Sequence, residues 1–174
     1  MIIRTVRQAD YSPISDLLMT TFSKSQNGYG GEAALVERIR KDPTYKRRFE
    51  IVADQAGRLV GYGLLSNVII ENENQSKTGL CLAPMAVIAS HQRQGIGKQI
   101  VTELEHRAAL AKFPFISVLG WPDYYGKLGY QRASQFGINP PFPAPDDTYM
   151  IKAIIPNGLS GVHGTVHYLS AFGL

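Results

Sequence analysis

The stretch Gln92-Arg93-Gln94-Gly95-Ile96-Gly97-Lys98 carries the clearest chemistry in this chain. It follows an apolar, strand-like run and precedes a long amphipathic pattern. Two glycines one residue apart let the backbone turn tightly and let a ligand come close. A helix that starts there points its unpaired N–H groups back at the turn. Such a corner binds pyrophosphate or another anion through the main chain.

Two better-known phosphate motifs do not fit. A dinucleotide fingerprint needs a third glycine where Ile100 stands. A P-loop needs glycine at position 92 and Ser or Thr at position 99, and both are glutamine. Cys81 is the only cysteine, so neither an intrachain disulfide nor a cysteine-based metal site is expected. Its apolar strand neighbours should raise the thiol pKa and leave it inert in the core.

The surrounding elements follow from periodicity. Residues 2–7 alternate as a first strand. Ser12-Pro13 reads as helix N-cap and first helical residue, with Ile14, Leu17, Leu18 and Phe22 at helical spacing. Residues 23–31, which include Tyr29, read as a mobile loop. A second helix begins near Glu32, carries Leu35, Val36 and Ile39 on one face, and stops at Asp42-Pro43. Strands are expected over residues 49–53 and 59–70, joined by the turn Asp54-Gln55-Ala56-Gly57, and over residues 79–89.

The helix from Gly95 to about Lys112 places Ile96, Ile100, Val101, Leu104 and Ala108 along one stripe. A short buried strand is expected over residues 115–119, a helical turn over 122–128, a proline-rich connection over 138–145 and a last clear strand over 148–155. The glycine-rich tail offers Val162, Thr165, Val166 and Tyr168 for an edge pairing, which could also join two copies as a homodimer. The order β-α-α-β-β-β-α-β-α-β predicts an α/β fold with a mixed central sheet and helices on both faces. No linker divides it, so residues 1–174 read as one domain.

Composition agrees with a folded, globular chain: 44% apolar and 18% charged residues. No apolar run approaches membrane-spanning length and the N-terminus does not read as a signal peptide, so no membrane partner is expected and the cytoplasm is the default compartment. The net charge of +4 is spread out apart from Arg38-Ile39-Arg40-Lys41 and Lys46-Arg47-Arg48. Neither cluster is interleaved with aromatic residues, which argues against nucleic acid as a partner.

Gln-x-x-Gly-x-Gly between a strand rich in Val, Ile and Met and a helix resembles the acetyl-CoA pyrophosphate loop of the GNAT superfamily of N-acetyltransferases. The resemblance is closer to the YhbS-like branch. It is carried by Leu82-Ala83-Pro84-Met85-Ala86-Val87, Gln94-Gly95-Ile96-Gly97, Tyr124-Tyr125-Gly126-Lys127-Leu128-Gly129-Tyr130 and Gly161-Val162-His163-Gly164-Thr165-Val166. Four pieces in the right order over about 170 residues make a specific signal.

The resemblance implies a GNAT-type fold and transfer of an acetyl group from acetyl-CoA to a primary amine, by direct attack in a ternary complex. The acceptor would be a small-molecule or peptide amine. Gln94, Gly95, Ile96, Gly97 and Lys98 would hold the pyrophosphate, with Gln92 and Arg93 at the lip. Met85, Ala86 and Val87 would pair with the pantetheine arm. The acceptor would meet the 23–31 loop, the second helix and the 121–125 turn. Tyr125 takes the position of the superfamily's general acid, with Tyr124 next in line. Trp121 reads most simply as a packing residue.

The base is left unassigned. No Asp or Glu lies within residues 79–89, and Glu32, Glu71, Glu73 and His91 each have a simpler explanation as capping or solvated groups. A rival reading keeps the cofactor contacts and drops the chemistry: a non-catalytic acyl-CoA-binding sensor or interaction domain. Turnover of acetyl-CoA with amines separates the two.

Overall fold

Arg4 organises the start of the chain in the computed structural model, which describes residues 1–174 apart from Gln26, Asn27 and Tyr29. Its guanidinium donates to both oxygens of Asp10, at 2.7 and 2.9 Å, and to Asp54 at 2.9 and 3.0 Å. Asp10 in turn accepts the Arg7 N–H at 2.6 Å. Helix α1 (Tyr11–Ser23) starts directly after Asp10, whose carboxylate turns back to Arg4 and Arg7 and makes no cap bond to the helix, and not at the Ser12-Pro13 pair expected from sequence. Pro13 is tolerated because it lies in the first turn, where its missing N–H has no helical partner to lose.

The chain divides into two compact units, residues 1–65 with 84–107 and residues 66–83 with 108–174. In the first, β1 (Ile2–Thr5) pairs antiparallel with β2 (Glu50–Gln55), and β2 pairs antiparallel with β3 (Arg58–Glu71). Ala56 and Gly57 close the β2–β3 hairpin with φ of 52° and 85°, the positive pair a tight two-residue turn requires. Helix α2 (Glu32–Arg40) stops just before Asp42-Pro43, as anticipated. The loop expected over residues 23–31 lies partly outside the described residues, at Gln26, Asn27 and Tyr29.

Glu50 is fully buried and holds this unit together. It accepts hydrogen bonds from Arg40 at 3.1 Å, from Tyr45 at 2.6 Å and from Tyr62 at 2.9 Å. Arg40 also lies 3.6 Å from the centre of the Tyr11 ring. A buried carboxylate is tolerated here because its charge is paired and hydrogen-bonded.

Helix α3 (Ile96–Leu110) packs Ile96, Ile100 and Leu104 against β3. It comes this close because Gly61 and Gly63 present no side chain. A Cβ on Gly63 would stand 2.6 Å from Ile100 Cγ2 and 3.0 Å from Leu104 Cδ1. Two glycines in the middle of a strand thus seat the helix that carries the glycine turn.

Strand β4 (Ser76–Val87) runs, like β3, through both units. In the second unit it pairs parallel with β5 (Phe115–Leu119) at Leu80↔Ile116 and Cys81↔Ser117. A short helix α4 (Pro122–Tyr125) and the two-residue strands β6 (Gln131–Arg132) and β7 (Ile138–Asn139) follow. Then β8 (Tyr149–Ala153) pairs antiparallel with β5 and β6. The tail strand β9 (Gly164–Tyr168) pairs antiparallel with the end of β3 and parallel with β7, so the anticipated tail pairing is made within the chain. Val68, Ile70, Cys81, Phe115, Ile138, Tyr149, Ile151 and Val166 belong to one core in this unit. The sheet is mixed, as the element order predicted.

Candidate active site

The glycine turn belongs to the first unit. After Val87 the Ile88 N–H donates to Val60 O at 3.0 Å, which pins the exit of β4 to β3. Arg93 and Gly95 then take the left-handed conformation, with φ of 61° and 80°. For Gly95 this is free of cost; for Arg93 it costs about 1–2 kcal/mol, and strain of this kind collects at functional turns. The Gln99 N–H donates to Gly95 O at 3.0 Å. The N–H groups of Ile96, Gly97 and Lys98 lie ahead of that bond, where no carbonyl of the helix can take them.

Among the described residues nothing beyond its chain neighbours lies within 4 Å of where a Gly95 side chain would begin. Arg93 and Lys98 are exposed cations on either side of it. Gln92, expected at the lip, and Gln94, expected in the pyrophosphate grip, both turn their side chains to nearby backbone. Gln92 Nε2 donates to Val87 O at 2.9 Å and Gln94 Nε2 to Ser90 O at 3.2 Å. They brace the turn. Upstream, Met85 and Val87 are half-buried and Ala86 buried, the alternation of a strand end.

The tyrosine turn belongs to the second unit. Trp121 precedes α4, Pro122 opens it, and the Tyr124 and Tyr125 N–H groups donate to Trp121 O at 3.1 and 3.0 Å. Gly129 ends the turn at φ 89°, and the Tyr130 N–H returns to Tyr125 O at 3.1 Å. The Tyr125 ring is only 7% exposed and meets Tyr124 and Tyr130 edge-on, with centroids 4.9 and 5.6 Å away.

Burial raises the Tyr125 hydroxyl above the ordinary tyrosine value, and the neighbouring Tyr124 adds to this. Burial raises Tyr124 as well. Both hydroxyls stay protonated at neutral pH and can donate. Among the described residues none hydrogen-bonds the Tyr124 hydroxyl, although its oxygen is out of solvent.

Of the other residues named from the sequence, Trp121 departs from expectation, while Cys81 and Glu32 do as expected. Trp121 is 68% exposed and is not the packing residue expected. Cys81 is buried 3.3 Å from Ser66 Oγ, and burial pushes its thiol up to about 11, which keeps it inert. Glu32 Oε2 accepts the Gly30 N–H at 2.9 Å, a capping role. His91 Nδ1 lies 2.9 Å from Ser90 Oγ. Among the described residues no His, Cys, Asp and Glu cluster could hold a metal ion. Among the described residues no helix is long and apolar enough to cross a membrane. Two features escaped sequence reasoning: the left-handed Arg93, which no local signal marks, and Gly120, whose only signal is its place just after a strand.

The acetyltransferase (GNAT) domain family matches residues 46–132, a span that holds both turns. The N-acetyltransferase YhbS of Escherichia coli strain K12 is 28% identical over 174 residues, 99% of this chain and 98% of that protein. The N-acetyltransferase YjhQ of the same strain is 30% identical over 122 residues, 69% of this chain and 67% of YjhQ. The crystal structure of Escherichia coli YhbS in complex with CoA matches with a TM-score of 0.87 at 25% identity, over 99% of this chain and 92% of that one. A GNAT family acetyltransferase from Brucella melitensis, in complex with acetyl-CoA, shares the fold with a TM-score of 0.79 at 22% identity, over 98% of this chain and 97% of that one. With the family matched over half of its length and relatives aligned from end to end, this chain belongs to the GNAT family of acetyltransferases.

Proposed function

We propose that residues 1–174 act as one domain that transfers the acetyl group of acetyl-CoA to a primary amine by direct attack. The observation that carries this reading is the turn ahead of α3. Three amides stand before the helical ladder, a left-handed Gly95 leaves the space above them open, and Arg93 and Lys98 flank it. That arrangement suits a diphosphate. The relative YhbS has been crystallised with CoA, which supports the same ligand here.

In this reading the amides of residues 94–98 grip the pyrophosphate. The braces from Gln92 and Gln94 keep the turn in shape, and the charges of Arg93 and Lys98 add attraction. Met85, Ala86 and Val87 offer a strand end to the two amides of the pantetheine arm. The acceptor amine attacks as the free base and the thioester carbon becomes tetrahedral. Its oxygen gains negative charge and needs a hydrogen-bond donor, for which a main-chain N–H near Val87 is suited. The carbon–sulfur bond then breaks and the electron pair leaves on sulfur. Tyr125, held protonated by burial, gives the departing thiolate its proton. Tyr124 is the second candidate for that role. The surplus proton on the attacking nitrogen passes to solvent water, which returns one to the Tyr125 oxygen and closes the cycle.

The test is calorimetric titration with CoA followed by thiol release from acetyl-CoA in the presence of a panel of amines. Tight CoA binding with amine-dependent release is expected. Binding without release for any amine would favour a non-catalytic acyl-CoA sensor, and no binding at all would overturn the assignment of the turn.

A further inference from the structure

Gly120 stands where β5 ends and α4 has not begun, and the Tyr125 ring lies directly on it. A Cβ at Gly120 would stand 2.7 Å from Tyr125 Cδ2, closer still to Cε2, and 3.4 Å from Cζ. Packed carbon atoms do not come that close, so a side chain and the ring cannot share the space. The backbone of Gly120 is not left-handed, so nothing in its own dihedral angles demands glycine. The ring alone demands it.

The strand end cannot easily step aside. The Gly120 N–H donates to Thr148 O at 2.9 Å, directly beyond the Leu119↔Tyr149 pair of the β5–β8 ladder. On other sides the ring meets Tyr124 and Tyr130 edge-on. A methyl group at position 120 would therefore turn the Tyr125 ring, and the hydroxyl at the ring's far end would move most. Gly79 offers an internal contrast. It is crowded in the same way by Phe115, a core ring with no hydroxyl to aim.

We propose that Gly120 is a positioning residue: it is the seat that aims the Tyr125 hydroxyl at the departing thiolate. This rests on Tyr125 being the general acid. Displacing a reacting group by about 1 Å can cost on the order of 100-fold in rate. Gly120→Ala should thus lower kcat about tenfold or more, while the Kd for CoA and the KM for acetyl-CoA stay within about twofold. In a Tyr125→Phe background the same change should alter kcat less than about twofold, because the hydroxyl it aims is gone.

Thiol-release kinetics and CoA titration on the two single variants and the double variant read all of this. Full kcat in Gly120→Ala would overturn the proposal, as would an equal loss in the Tyr125→Phe background. A Tyr125→Phe variant with unchanged kcat would remove the general acid itself, a separate and recognisable failure. If Gly120→Ala does not fold, pairing it with Tyr130→Leu removes one of the rings that confine Tyr125. A folded pair with kcat about tenfold below the Tyr130→Leu single supports the seat, and a kcat equal to that single overturns it.

Discussion

In the turn ahead of α3, Gly95 sits at φ 80° and, among the described residues, only its chain neighbours come within 4 Å of where a side chain would begin. In the turn ahead of α4, Gly120 has an ordinary backbone and a tyrosine ring in that same space. The first glycine is there for its dihedral angles and the second for its size. The difference separates two tasks. A corner that receives a ligand through its main chain must be open and bent. A corner that aims a side chain must be closed and crowded. Substitutions can tell them apart, because an Asn tolerates a left-handed backbone and an Ala does not intrude where there is room.

The largest effect should come from Tyr125→Phe, which removes the proposed proton donor and keeps its ring on Gly120. We expect kcat to fall about 100-fold, with CoA affinity unchanged by titration. Because burial lifts this hydroxyl above the ordinary 10.0, wild-type kcat should not decline at the pH where a free tyrosine ionises. A loss of kcat centred near that value would show that the donor is not the buried ring.

Gly95→Val should weaken CoA binding about 10- to 100-fold, since a β-branched residue resists the left-handed region by roughly 1–3 kcal/mol. Gly95→Asn should bind within about threefold of wild type, because it accepts that region and meets open space. If Asn is as damaging as Val, size and not backbone is what the open corner cares about, and the contrast with Gly120 collapses.

Gly63→Ala sharpens the comparison from a third side, as a glycine crowded chiefly by the apolar face of α3. Its Cβ would press on Ile100 and Leu104, and thermal or urea unfolding should show a loss of about 1–3 kcal/mol. A stability unchanged from wild type would mean that α3 can lift away from β3.

The smallest effect concerns a turn shaped by charge. The Arg4 guanidinium beside Asp10 holds its carboxyl below the ordinary value of 3.8. A depressed carboxylate contributes stability that is complete above its unfolded pKa and is lost as pH falls through the folded one. Asp10→Asn should therefore cost stability at neutral pH and flatten the decline seen in acid. An unchanged acid limb in unfolding curves would remove this pair from the account.

The glycine turn was legible because its reason is local: a glycine pair between a strand and a helix. Gly120 was not, because its reason is a ring five residues later that only folding brings back onto it. The helix start after Asp10 was missed in favour of Ser12-Pro13 for a similar cause, since Asp10 depends on Arg4 across a bend. Strands β6 and β7 hold two residues each, too few to show a period. The tail motif around Gly164 helped to suggest the family, and its physical role is packing. Gly164 takes φ 128° with the Glu71 carbonyl close beneath it, which lets β9 lie beside β3. The exposure of Trp121 was misjudged because an apolar side chain at a strand end usually finds cover.

That exposure has a practical use. The chain contains one tryptophan, and its indole faces water four residues before Tyr125. All indole emission from this protein thus comes from a single place with a solvent-dependent colour. A molecule settling there would shift or quench that light, so candidate amines can be screened optically, without a label and before any turnover is seen.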